Sequence, residues 1–280
     1  MVKKIFFLFF ILLFYILFGA FITSNHRHLL PATCAAGFVL AYVLARRTST
    51  EENSFIKIFL IYYLPFLVLL LLASIVEKSF LRSWLYFFFL PLSAFLGYRF
   101  QRKRNYSYVL LLLVAVTLAG YILQPNMLSY ALNKEARKVV PFPKVAFSNE
   151  KKEAVYFERD KVVVLDFWTT TCGVCFKKFP DFEALYKKYQ FNENVVFYSV
   201  NVPLPSDSLP KTYNLVKKLN YAFPTIYTSS LKEIKKTLNI TGYPQLVILR
   251  NDTIYYKGSP YYEPYMLVHH IEDEIKRVLQ

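Results

Sequence analysis

Through residue 125 the chain alternates between long apolar runs and short basic interruptions. After that, shorter apolar runs are spaced by polar and turn residues. Five of the early runs approach the roughly 20 apolar residues that a membrane-crossing helix needs: Ile5–Ile22, Leu29–Ala45, Ile58–Val76, Ser83–Tyr98 and Tyr108–Leu123. Pro65 and Pro91 fall inside these runs, and membrane helices tolerate internal proline. The pattern predicts an all-α, five-span transmembrane domain over residues 1–125, lying in a lipid bilayer. Basic residues set orientation by collecting on the cytoplasmic side. Lys3 and Lys4, then Arg46, Arg47 and Lys57, then Arg99, Arg102, Lys103 and Arg104 fall on one side, against Arg27, Lys78 and Arg82 on the other. This places the N-terminus inside the cell and, after an odd number of spans, the C-terminal domain outside. No small-residue A-x-A-like site follows the first run, so it is expected to be a retained span and not a cleaved signal.

Residues 126–152 are expected to be a linker with short strands in "VVPFPKVAF". Residues 153–280 then alternate in type. Lys161–Trp168, Asn194–Val202 and Ala222–Tyr227 have the apolar, β-branched and aromatic content of strands, whereas Val174–Tyr189, Ser208–Leu219 and Leu231–Leu238 have helical spacing. Gln245–Arg250 and Thr253–Gly258 are predicted strands joined by Asn251-Asp252, a hairpin signal. Tyr262–Val278 is predicted as a closing amphipathic helix. Strands alternating with helices and ending in a hairpin indicate an α/β domain with a mixed central sheet flanked by helices.

The formal charge of +15 raises the question of nucleic acid. Residues 1–125 hold +9 of it, between apolar runs, and residues 126–280 hold +6 as scattered lysine. No basic stripe with interleaved aromatics is present, so no nucleic-acid partner is expected. The 55% hydrophobic content exceeds the roughly 45–50% of soluble chains and agrees with a membrane domain.

Three cysteines are too few for a disulfide scaffold. Two of them, Cys172 and Cys175, form a C-x-x-C at the end of "VVVLDFWTTTCGVC". Cys172 would sit just past a strand and open a helix, where unpaired backbone N–H groups favour a thiolate. Cys175 follows by one turn, within reach of a disulfide. A zinc site would need about four ligands, and no second C-x-x-C is present, so no metal and no cofactor are expected. Asp166, an acid inside an apolar strand, is expected to have a shifted pKa. A peroxidase pattern of the P-x-x-x-T-x-x-C type fails at Leu165, which stands where proline should be.

"VVVLDFWTTTCGVC", Pro180 and "ITGYPQLVIL" together resemble the thioredoxin-like superfamily, and the insertion over about Ser208–Tyr227 resembles its TlpA/ResA-like branch of membrane-anchored thiol–disulfide oxidoreductases. The resemblance covers roughly Val155–Gln280 and none of the five runs. It implies a thioredoxin-like fold and a redox-active disulfide between Cys172 and Cys175. Cys172 would be the nucleophile, Cys175 the resolving thiol and Asp166 the group that exchanges a proton with Cys175. It implies a cis bond before Pro244 and a substrate surface of Trp168, Thr171, Gly173, Val174, Tyr243 and Pro244. The implied partners are protein disulfides and dithiols of the envelope, such as apocytochrome c, and a membrane electron donor of the DsbD/CcdA type. The implied location is the bacterial inner membrane, with the domain on the periplasmic side.

The sequence departs from the pattern at several points. Thr171 replaces the usual Trp before the first cysteine, Gly173-Val174 replace Gly-Pro, Ser199 stands where thioredoxins carry a lysine, and Tyr243 is bulky where Thr or Ile is usual. Val174 cannot stabilise a thiolate as the His of strong oxidases does, which favours a reductase or isomerase over a strong oxidant. A disulfide-forming oxidase coupled to a quinone partner and a non-catalytic binding or sensor module are the alternatives. Cys34 is expected to be a small apolar residue in a span. His26 and His28 are expected to pack at the interface, with a metal or quinone as the sharper reading. His269 and His270 are expected on the surface of the last helix.

Overall fold

The computed structural model describes residues 26–47, 54–76 and 80–280. The chain divides into two compact units, Met1–Leu128 and Ser129–Gln280.

In the first unit, α1 (His26–Arg47), α2 (Ser54–Ile58), α3 (Leu64–Val76), α4 (Phe80–Lys103), α5 (Tyr106–Leu118) and α6 (Gln124–Leu132) follow in order, with α6 running on past the unit boundary. One π-helical turn, Phe59–Tyr63, joins α2 to α3, and another, Ala119–Leu123, joins α5 to α6. Two continuous helices among the described residues, Phe55–Val76 and Tyr106–Leu132, are long and apolar enough to cross a membrane. They contain the expected spans Ile58–Val76 and Tyr108–Leu123. The expected span Leu29–Ala45 coincides with a shorter apolar helix, Leu30–Arg46. Ser83–Tyr98 lies within α4, whose apolar character is diluted by Ser83, Trp84, Tyr86, Ser93 and Tyr98. Ile5–Ile22 lies outside the described residues. Two of the five expected spans thus meet the length and composition of a membrane-crossing helix. α1 and α4 pack closely because Gly97 has no side chain: a Cβ there would collide with the carbonyl oxygen of Phe38. Cys34 is buried beside Leu30, Leu85 and Leu112, as an apolar residue would be.

In the second unit a seven-stranded sheet has the order β1-β7-β6-β3-β4-β5-β2. Its strands are β1 (Val140–Pro141), β2 (Phe147–Ser148), β3 (Val162–Trp168), β4 (Val195–Asn201), β5 (Thr225–Thr228), β6 (Gln245–Arg250) and β7 (Thr253–Gly258). The segment 126–152 therefore supplies both outermost strands, with β1 antiparallel to β7 and β2 antiparallel to β5. β3 is central, parallel to β4 and antiparallel to β6, and all seven of its residues are buried. Burial on both faces explains why it reads as a continuous apolar run and not as an alternation. One face carries Val162, Val164 and Trp168 against α7 (Gly173–Tyr189) and α10 (Ile271–Leu279). The other carries Val163, Leu165 and Phe167 against α9 (Leu231–Leu238).

Local chemistry sets the ends of these elements. α8 (Leu209–Leu219) and α9 stop at Asn220 and Asn239, both left-handed, a conformation asparagine tolerates. Ser230 caps α9 by accepting the Glu233 N–H at 3.2 Å. Asn251 and Asp252 both take positive φ, as the tight turn between β6 and β7 requires.

The closing helix is shorter than the sequence pattern suggests, running from Ile271 to Leu279 and not from Tyr262. Pro264 disfavours helical backbone at Glu263, and His269 is left-handed with φ 56°. The segment is instead a packed loop, pinned where the Ile271 N–H donates to the Tyr261 carbonyl at 2.9 Å. The two histidines accordingly do not lie on a helix surface. His270 is the residue before the helix, half-buried. His269 is buried against Tyr256, with Nδ1 3.8 Å from Glu274 Oε1.

Glu274 is itself 1% exposed and is met by Arg137 Nη2 at 2.6 Å and Arg277 Nε at 3.1 Å. Arg137 thereby ties the segment leading into the sheet to α10, reinforced by the Lys257 N–H donating to the Ala136 carbonyl at 2.7 Å. Breaking a buried charge pair is costly because one partner stays behind uncompensated. Arg137 is half-exposed and Arg277 remains, so Arg137→Ala is expected to cost roughly 1–2 kcal/mol, read as a lower midpoint of thermal unfolding. An unchanged midpoint would show that the pair does not hold the segment in place.

Candidate active site

The C-terminal end of β3 feeds through Thr169–Thr171 directly into α7. Cys172 is the N-cap of that helix, and its Sγ accepts the Cys175 N–H at 3.2 Å. The two cysteines are joined by a disulfide with Cα atoms 5.3 Å apart. Their environments differ: Cys172 is half-buried at the helix start, whereas Cys175 is fully buried. A helix N-terminus presents unpaired N–H groups and a partial positive charge, so a thiolate released at Cys172 is stabilised where a partner disulfide can reach it.

Asp166 lies on β3 with its residue fully buried, and neither carboxylate oxygen has a hydrogen-bond partner. Burial raises its pKa from 3.8 to about 8, against a smaller opposing pull from Lys178. Ser199 on β4 pairs with it in register. The Ser199 hydroxyl accepts the Trp168 Nε1–H at 2.7 Å, so this strand brings no charge to Asp166.

Of the residues expected at the substrate surface, Thr171, Gly173 and Val174 are exposed, and Tyr243 and Pro244 are half-buried. A Cβ on Gly173 would meet nothing within 4 Å, so the surface between the cysteines is open. The Tyr243–Pro244 peptide bond is cis. The Tyr243 ring packs against the clusters on both faces of the sheet. Trp168 does not join this surface. It is 1% exposed, wedged edge-on against Phe176 and Phe179. Its indole N–H is already used by Ser199, so its contribution is packing beneath the pair and not contact with a partner.

Sequence reasoning misses two sets of residues. Thr170 Oγ1 donates to Asp207 Oδ1 at 2.7 Å, and Asp207 Oδ2 accepts the Leu204 N–H at 2.8 Å. This fastens the approach to Cys172 onto the loop before α8. On the other side, Lys178 pairs with Glu263 at 2.8 Å, beside the Tyr262 ring. Lys178 follows Cys175 by three residues, a signal visible in the sequence. Tyr262 and Glu263 come from the loop that reads as helix, and only the folded chain brings them here.

Residues 160–254 match the thioredoxin-like family. The chain contains a thioredoxin-like domain. A stretch of 47 residues is 45% identical to a thioredoxin of Coprinus comatus, covering 17% of this chain and 43% of that protein. The chain thus spans less than half the length of this curated relative. Among solved structures, the thioredoxin-like domain is similar to a thiol-disulfide oxidoreductase from Bacteroides fragilis, with 18% identity, TM-score 0.42, and coverage of 50% of this chain and 100% of that one. It is also similar to the exposed lipoprotein thioredoxin of Streptococcus pneumoniae, with 20% identity, TM-score 0.38, and coverage of 48% and 96%.

Proposed function

We propose that this protein is a membrane-bound thiol–disulfide oxidoreductase that reduces disulfides of proteins outside the cytoplasmic membrane. The observation that carries this reading is the asymmetry of the pair. Cys172 caps a helix N-terminus at the surface, with Cys175 buried behind it and an unpaired buried carboxyl, Asp166, on the strand leading into it.

In the cycle, the Cys172 thiolate attacks a substrate disulfide. A mixed disulfide forms and the first substrate sulfur leaves as a thiolate. Cys175 gives its proton to Asp166 and attacks Cys172 Sγ. The Cys172–Cys175 disulfide forms and the second substrate sulfur leaves, so two electrons pass from the protein to the substrate. Thr171, Gly173, Val174, Tyr243 and Pro244 form the surface on which the substrate lies. Renewal requires a dithiol donor, for which a membrane protein of the DsbD/CcdA type is the expected partner. Envelope cysteine proteins such as apocytochrome c are the expected substrates. The apolar helices Phe55–Val76 and Tyr106–Leu132 support the membrane location, and the basic residues at 99–104 support a cytoplasmic loop between the last two expected spans.

The test is the reduction potential of the full-length protein, equilibrated with dithiothreitol or glutathione buffers and scored by thiol alkylation. A value near or below about −250 mV is the expected result. A value above about −150 mV would replace the reductase with a disulfide-forming oxidase, and a pair that does not titrate would leave only a binding module.

A further inference from the structure

Asp166 has to take and release a proton although both of its oxygens are buried without a hydrogen bond. On the face of the sheet that Asp166 shares with Val164 and Trp168, α7 brings Cys175 and Lys178, β7 brings Tyr256 and the loop before α10 brings Tyr262. β4 brings Ser199, which is uncharged and occupied by Trp168. Asp181 and Glu263 lie near Tyr262. Burial raises the Tyr262 phenol well above its ordinary range, and Asp166, Asp181, Tyr256 and Glu263 push it further the same way, so it stays neutral. Its hydroxyl is buried without a partner, like the Asp166 carboxylate. Among the described residues, the cation that acts on Asp166 is Lys178.

The placement of Lys178 is fixed on two sides. Its Nζ lies 2.8 Å from Glu263 Oε1 and 5.7 Å from the centre of the Tyr262 ring. Only 20% of the Lys178 side chain and 18% of the Glu263 side chain are exposed, so their charges are screened less than a surface pair's would be. Lys178 also stands three residues after Cys175 on the same helix, and such positions are neighbours on one side of it.

We infer that Lys178, held in place by Glu263, is a positioning residue that governs proton exchange between Cys175 and Asp166; this rests on the reading of the pair as redox-active. When Cys175 gives up its proton, the carboxylate of Asp166 receives it, and the ammonium of Lys178 favours the ionised form that is ready to do so. Glu263 opposes Lys178 by partly neutralising it. The two residues of one ion pair therefore act on Asp166 with opposite signs, which a purely structural anchor would not do.

The experiment uses pre-reduced full-length protein and oxidised glutathione. Two protein thiols reduce one glutathione disulfide to two thiols, and formation of the Cys172–Cys175 disulfide is followed by alkylation in single turnovers across pH. The limb of the profile that Asp166→Asn removes is assigned to Asp166. Lys178→Met is expected to move its midpoint up by about one pH unit, tenfold in proton affinity. Glu263→Gln is expected to move it down, and Lys178→Arg to leave it in place. The Glu263→Gln result stands by itself if Lys178→Met fails to fold. Midpoints that do not move, or that move in the same direction, overturn the inference while leaving the reductase reading intact. A wild-type protein that does not exchange with glutathione at any pH overturns both.

Discussion

Replacing Asp166 by asparagine is expected to raise the thermal unfolding midpoint at pH 7 by about 5–10 °C while slowing disulfide exchange. In the folded protein burial holds this carboxyl at about 8, against 3.8 for an unperturbed one. The folded state therefore binds the proton more tightly than the unfolded state. Stability contributed at this site is greatest below about pH 4, where both states are protonated. It falls as pH rises through the window from about 4 to about 8, and is flat above it. At 1.36 kcal/mol per pKa unit the cost at pH 7 has a ceiling of roughly 4 kcal/mol, and relaxation of the site brings it nearer about 2–3 kcal/mol. A gain of that size corresponds to the stated shift in a domain of this class. Asparagine keeps the shape and removes only the ionisation, so the gain should vanish on acidification to about pH 4. Differential scanning calorimetry of the two proteins across pH checks this. Equal midpoints at pH 7 would mean that the carboxyl is hydrated and ionised at no cost, and its proposed role would go with it.

The second large effect separates the two cysteines. Cys172→Ser is expected to abolish exchange with a disulfide substrate, because the attacking thiolate is gone and Cys175, fully buried, cannot substitute for it. Cys175→Ser should still react once and then stop, leaving the substrate joined to Cys172, since nothing remains to resolve the mixed disulfide. Mass spectrometry after incubation with oxidised glutathione reads both outcomes: an unmodified Cys172→Ser protein and a Cys175→Ser protein carrying one glutathione. The reverse pattern would exchange the two roles and contradict the burial of the pair.

Much of the domain is legible in the sequence because local chemistry and tertiary structure agree. The hairpin strands and Leu231–Leu238 have the boundaries that pattern alone assigns them, since Asn251, Asp252 and Asn239 supply left-handed positions where the chain turns. The closing helix misleads because aromatic and aliphatic residues from Tyr262 onward also suit a packed loop, and periodicity does not distinguish the two where Pro264 intervenes. The short strands expected in "VVPFPKVAF" form at 140–141 and 147–148, but only the folded chain shows that they pair with β7 and β5 at the two edges of the sheet. In the site, the cysteines, Asp166 and Pro244 are linear signals. Glu263, Tyr262 and Asp207 are not, because their meaning depends on which loop lies across which helix.

Trp168 has a further consequence. Ser129–Gln280 contains no other tryptophan, the chain's second being Trp84. Its indole is sealed from solvent in the same cluster as Cys172 and Cys175. A disulfide quenches a nearby indole, and a dithiol does so less. With Trp84 replaced by phenylalanine, the protein would report its own oxidation state by its emission, without dye or label.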